Sequence, residues 1–188
     1  VMSSDIRFFD VQKLPASRWR NGGGETREIV SVPAGEGTFA WRASIATIAQ
    51  EGDFSPFPGV DRQITPLEGA GVTLCFPSFS YRLQRGVPLF FAGEIPLRAK
   101  PEGDLPSRDF NIMTRRDSHC ATVMLLREAL TLQGQEAGVL YVMEGVWQTG
   151  THQCHAGQGF WWNSALSARQ MIPLTANAVL LYAAVFPR

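Results

Sequence analysis

The feature that most constrains this chain is its punctuation: 18 glycines and 12 prolines are spread so evenly over 188 residues that few windows can hold a three-turn helix. Between them lie short runs rich in aromatic and β-branched residues, the composition of strands. Runs at 27–32, 38–48, 72–76, 110–115, 122–127, 138–143, 159–162, 169–172 and 178–185 read as strands. Helix is expected at most in short pieces, at 15–19 or 163–168. The fold class is therefore all-β.

An internal echo refines this. "LEGAGVTLCF" (67–76) followed by "YRLQRGVPLFF" (81–91) parallels "MEGVWQTGTHQCHAGQGFWW" (143–162). In both, an apolar-Glu-Gly turn closes one strand and opens another, and a glycine step then leads into paired aromatics, Phe90-Phe91 or Trp161-Trp162. Such a repeat implies two barrel or jelly-roll halves of about 80 to 90 residues each. We expect them at 1–117 and 118–188, packed as one unit, with a ligand pocket in the first.

Composition excludes several partners. Lys+Arg and Asp+Glu balance at 17 each with no basic stripe, so no nucleic acid is expected. Only Lys13 and Lys100 are lysines; the other cations are arginines, whose planar fork grips carboxylates in pairs. Cys75, Cys120 and Cys154 are odd in number and far apart, which indicates neither a disulfide framework nor a zinc knuckle. The N-terminal "VMSSDIRFF" lacks a basic patch followed by an apolar core, and the apolar run at 178–186 is too short for a span. A soluble cytoplasmic protein with no membrane partner is the expectation.

The segment "VLYVMEGVWQTGTHQCHAGQGFWW" (139–162) resembles the core hairpin of a cupin. With "WRNGGGETREI" (19–29), "FAWRASIATIAQEGDFSPFPGVDRQITPLEGAGVTL" (39–74) and "RDFNIMTRR" (108–116), the chain resembles the HutD/Ves family of bicupins. The resemblance implies a tandem cupin fold and a bacterial cytoplasmic protein. It also implies a link to histidine utilisation for the HutD branch or to stress response for the Ves branch. It implies no established reaction.

Cupin enzymes bind a metal through two histidines at H-x-H spacing, a glutamate and a distant histidine. His119, His152 and His155 are the only histidines here, none lies between residues 39 and 87, and the latter two sit three apart in a strand and so point to opposite faces. No metal and no cofactor are expected. Cys154-His155 and His119-Cys120 are adjacent and face apart, so neither is a local catalytic dyad. The glycine run runs on into the strand-like "ETREI" rather than a helix, which argues against a phosphate loop.

What remains is polar side chains on apolar strands. Alternation in "FAWRASIATIA" points Arg42 and Ser44 together and Trp41, Ala43 and Ile45 the other way. In "DFNIMTRR" it aligns Asp109, Asn111, Met113 and Arg115. Arg62 follows "FSPFPGVD", a stiff loop able to wall a pocket with Phe54 and Phe57. Arginines on a barrel are most often paired with acids, as Arg42 with Glu28 or Arg62 with Asp53 would be. The resemblance places Asn21, Arg42, Arg62, Asn111 and Arg115 in the family's signature blocks. Buried arginines need an anion, and a small barrel has room for one ligand.

Gly22, Gly23 and Gly24 would bring backbone close to the barrel mouth, either as a concave nest of amides with Asn21 and Thr26 as added donors or as a plain turn. The resulting expectation is a non-enzymatic protein that binds a small carboxylate-bearing metabolite. Urocanate or formylglutamate would suit the HutD branch, with Trp41, Phe54 or Phe57 covering the apolar body. A rival is a metal-independent isomerase or hydrolase of a small acid, with Glu28 or Asp53 as base. A third reading is a homodimer joined through Phe90-Phe91 and Trp161-Trp162.

Overall fold

The computed structural model describes residues 6–188. The opening "VMSSD", part of the stretch read above for a targeting segment and of the expected first domain, lies outside the described residues. Ile6–Asp10 (β1) precedes a 3-10 turn at Val11–Lys13. Ala16–Arg18 (β2), Gly24–Val32 (β3), Trp41–Ile48 (β4), Gly52–Asp53 (β5) and Val60–Gly69 (β6) come next. They are followed by Val72–Cys75 (β7), Ser80–Arg82 (β8), Leu89–Ala92 (β9), Arg98–Pro101 (β10) and Ser107–Arg115 (β11). The second half holds His119–Leu126 (β12), Leu130–Leu132 (β13), Ala137–Glu144 (β14), Val146–Thr149 (β15) and His152–His155 (β16). Gln158–Trp162 (β17), Arg169–Pro173 (β18) and Val179–Pro187 (β19) complete it.

The all-β expectation holds, and neither helix forms. Residues 16–18 instead join a ladder, Ala16 to Arg27 and Arg18 to Glu25, which spends their amides between strands. In 163–168, Leu166 gives its carbonyl to the Gly134 amide and its amide to the Gln135 carbonyl, bonds a helix would need for itself.

The chain forms two compact units, residues 15–120 and residues 121–187 with the N-terminal strand. The expected division at 117/118 follows chain order, whereas β1 pairs along its whole length with β17, Ile6 opposite Trp162 and Asp10 opposite Gln158. In the first unit a six-stranded sheet runs β2-β3-β4-β11-β6-β9 and a four-stranded sheet runs β5-β10-β7-β8. Ile48 and Ile64 from the former pack with Val72, Leu74 and Ala99 from the latter. In the second unit the sheets run β1-β17-β14-β19-β12 and β13-β18-β15-β16. Their shared core contains Leu140, Trp147, Phe160, Trp162, Met171 and Leu180.

The sequence echo marks equivalent corners. Gly69 (φ 95°) sits between β6 and β7, and Gly145 (φ 79°) sits between β14 and β15, both in the left-handed region that favours glycine. The paired aromatics also occupy equivalent strands, β9 beside β6 and β17 beside β14. One ring of each pair points inward. Phe91 and Trp162 are interior at 6% and 0% exposure, leaving Phe90, 61% exposed, and the half-buried Trp161 nearer the surface. β9 closes its sheet whereas β17 lies between β1 and β14, and in either strand neighbouring side chains point to opposite faces.

Candidate functional site

One face of the six-stranded sheet carries an unusual row. Met113 of β11 lies opposite Arg42 of β4 on one side and Arg62 of β6 on the other. The next row inward aligns Ser44, Asn111 and Ile64. With period two these side chains share a face, and Met113, Arg42, Arg62, Ser44 and Asn111 floor a cavity of about 510 Å³, with Ile64 in the apolar core beside it. That size suits a small metabolite. One wall comes from residues 17–21, including Trp19, and from Thr26; the other comes from Asp53, Phe54, Ser55 and Phe57. Trp19 is held in place: its indole N–H donates to Thr26 Oγ1 at 2.8 Å and its ring meets Phe54 edge-on at 5.8 Å.

Arg62 dominates the electrostatics. It is 6% exposed, its Nη2 donates to Asn111 Oδ1 at 3.1 Å, and its Nε is buried without a partner. Phe54, Phe91 and Phe57 surround the guanidinium with ring centres at 5.0, 5.1 and 5.4 Å. Burial first, and then the nearby Arg42 charge, push its pKa down to about 10. Cation–π contacts contribute about 0.5 to 2 kcal/mol each, whereas desolvating a charge costs several kcal/mol. The rings offset part of that cost and leave donors unanswered.

The acids expected to neutralise these arginines divide. Glu28 does pair with Arg42, Oε1 to Nε at 2.9 Å. Asp53 does not reach Arg62; it accepts from Arg98 Nη1 at 3.1 Å, alongside Glu51. Among the described residues no acid pairs with Arg62.

A second buried ionisable group lies on the same face of β11. Asp109 is wholly buried, and the Ser107 hydroxyl stands 3.1 Å from each of its carboxylate oxygens. Burial pushes its pKa up to about 7, against a smaller lowering by the Ser107 hydrogen bond.

The structure brings together nine of the expected residues at this cavity: Asn21, Thr26, Arg42, Ser44, Asp53, Phe54, Phe57, Arg62 and Asn111. Glu28 stands behind Arg42 rather than on the lining. Trp41 is fully buried and belongs to the opposite face, as its odd place in the strand requires. Arg115 also falls outside: at the end of β11 it turns to the carbonyls of Phe39 and Pro58 and lies over the Phe39 ring at 5.5 Å.

The three glycines form a turn, not a nest. The Gly22 amide donates to the Trp19 carbonyl and the Gly23 amide to Asn21 Oδ1. The Gly23 carbonyl receives the amides of Ala49 and Gln50. A Cβ on Gly24 would run into the Thr47 carbonyl and lie 3.1 Å from the Trp19 ring. The glycines let the chain fold tightly enough to press Trp19 against the sheet and form the pocket wall. Sequence reasoning missed Arg18, Trp19 and Arg20 as lining residues: it read 15–19 as helix, whereas β2 ends at Arg18 and the chain after it turns over the sheet.

Among the described residues no cluster of three or more His, Cys, Asp or Glu could hold a metal ion. His152 is exposed and stacks on Phe8 at 3.7 Å. No helix of the described residues is long and apolar enough to cross a membrane.

The HutD family model matches residues 11–181. The chain belongs to the HutD family. Protein Ves of Citrobacter koseri is 45% identical over 159 residues, 84% of this chain and 83% of that protein. Protein Ves of Escherichia fergusonii is 39% identical over 173 residues, 92% of this chain and 91% of its own length. Among solved structures, HutD from Pseudomonas fluorescens SBW25 superposes with a TM-score of 0.85 over 97% of this chain and 99% of that one, at 22% identity. Ylba from E. coli superposes with a TM-score of 0.76 at 9% identity, covering 98% and 92%. These two likenesses concern the fold, which is all-β and cupin-like.

Proposed function

We propose that this HutD-family protein binds a small carboxylate-bearing metabolite in the cavity of its first unit and acts by binding, modulating histidine utilisation. The observation that carries the reading is Arg62: a buried guanidinium with one hydrogen bond, an unpartnered Nε and no acid within reach. A carboxylate supplies two acceptors in the geometry of the fork and offsets the buried charge. Arg42, still carrying free donors beyond its bond to Glu28, borders the same space. Phe54, Phe57 and Trp19 offer flat apolar walls to the rest of the molecule. Urocanate and formylglutamate meet this description, and the histidine-utilisation link implied by the HutD resemblance favours them. Glu28 and Asp53, the bases an enzymatic reading would use, each face a guanidinium.

The test is thermal unfolding against a panel of such acids. A binder raises the midpoint with concentration, and Arg62→Ala abolishes the rise. No shift at millimolar ligand, or the same shift in the variant, removes the proposal.

A further inference from the structure

Asp109 is a buried carboxyl without an ion-pair partner; it does not line the cavity but lies opposite Ala46, which does. It lies two residues from Asn111 along β11, about 7 Å at strand spacing, and Asn111 is the residue that holds Arg62. Buried acids of this kind stay protonated unless a positive field favours the charge. Resting on the carboxylate reading above, we propose that Asp109 is the proton site of the pocket, so that an anion taken up beside Arg62 is accompanied by a proton held on Asp109.

The coupling follows from charge. Arg62 and Asp109 share no direct contact, so any influence between them acts through space across Asn111. An anion on Arg62 brings the pair to zero net charge, so the acid holds its proton more tightly than beside the bare cation. By reciprocity, anion affinity falls as rising pH strips the proton from Asp109. Two unit charges about 10 Å apart at an effective dielectric of about 20 change a binding constant by roughly tenfold or more.

On the strand of Asp109 the neighbours on the same face are Ser107 and Asn111, and beside it stand Ala46 of β4 and Pro66 of β6. Thr26 of β3 lies opposite Ala46, and Val72, Leu74 and Ala99 of the other sheet belong to the apolar core. The charged groups on these strands are Arg62, Arg42 with its partner Glu28, Arg108 bonded to Glu68, Asp61 bonded to Arg116, and Arg27 beside Glu25, while Arg115 turns away to backbone carbonyls. On the facing sheet Arg98 is tied to Glu51 and Asp53, Arg82 to Glu102, and Lys100 is exposed. No histidine belongs to this interior, since the chain has only His119, His152 and His155.

The experiment measures acetate binding to the whole protein at pH 6 and pH 8, a range in which acetate does not titrate, together with the carboxyl carbon resonance of Asp109 across the same range. We expect at least threefold weaker binding at pH 8, an Asp109 midpoint that moves upward with saturating acetate, and equal affinities at both pH values in Asp109→Asn. Acetate that binds with the same affinity at both pH values, or an Asp109 midpoint indifferent to acetate, overturns the proton coupling and leaves the anion pocket standing. The wild-type resonance decides the matter if Asp109→Asn does not fold. Absence of acetate binding at every pH removes the carboxylate reading and this inference with it.

Discussion

The two units use the same plan and fill it differently. Counting back six residues from Glu68 and from Glu144 in the two Glu-Gly corners reaches Arg62 and Gly138. The register agrees: Arg62 lies opposite Phe91, and Gly138 lies opposite Trp162. On the neighbouring strands, Met113, Asn111 and Asp109 of the first unit correspond to Ala184, Tyr182 and Leu180 of the second. Among the described residues, Thr149 is the one buried polar or charged residue of the second unit. Where one interior has a cation under a cavity, the other has a glycine under an indole. A Cβ on Gly138 would come within 2.8 Å of the Trp162 ring, so the ring occupies the space a side chain would need. At the place of Trp162 the first unit has Phe91, whose ring lies 5.1 Å from the Arg62 guanidinium instead of over a bare glycine.

The strongest way to break this comparison is to empty the filled unit. Trp162→Ala removes a fully buried indole that also donates to the Gln135 carbonyl at 3.2 Å. The loss should be about 3 to 5 kcal/mol in urea unfolding. The resulting hole, lined by Leu140, Phe160 and Tyr182, should bind no carboxylate, because it contains no cation. Retention of full stability would mean that the second core is not the close-packed one described.

Next in size is the pH dependence of the hollow unit. The Asp109 pKa rises from the ordinary 3.8 to about 7 in the folded chain. Between those values the native carboxyl keeps a proton that the unfolded one has lost, so stability falls as pH rises through that window and is flat above it. The full difference corresponds to roughly 4 kcal/mol. Urea midpoints at pH 4.5 and 7.5 should therefore differ in wild type and converge in Asp109→Asn. An unchanged slope in the variant would assign the effect elsewhere.

Much of this contrast was legible in the residues. Alternation alone placed Arg42 with Ser44 and Asn111 with Met113, and the structure keeps both pairs on the pocket face. The same alternation already put Trp41 on the other side, so counting it as a ligand contact contradicted its own strand. Arg115 satisfied the parity but not the location, because a residue at a strand end can turn toward loop carbonyls. The glycine turn was opaque for a different reason: its partners Ala49 and Gln50 lie more than twenty residues away, and only the ladder between β3 and β4 brings them there. Asp109 was visible as an acid on an apolar strand, yet its isolation from any cation depends on β4 and β6, which local sequence does not specify.

The smallest expected effect sharpens the comparison most finely. Glu28 lies opposite Ser44 in the ladder and holds Arg42 Nε at 2.9 Å, with side-chain exposures of 48% for the acid and 23% for the arginine. A pair this exposed contributes under about 1 kcal/mol to stability. Glu28→Gln should therefore leave the urea midpoint nearly unchanged while removing the one negative charge that competes for Arg42. If the hollow unit works through its unneutralised cations, carboxylate affinity measured by titration calorimetry should rise by a few-fold, because two guanidinium groups then face the cavity without an acid between them. A fall in affinity would mean that Glu28 positions Arg42 rather than neutralising it. The difference between the two interiors would then rest on Arg62 alone.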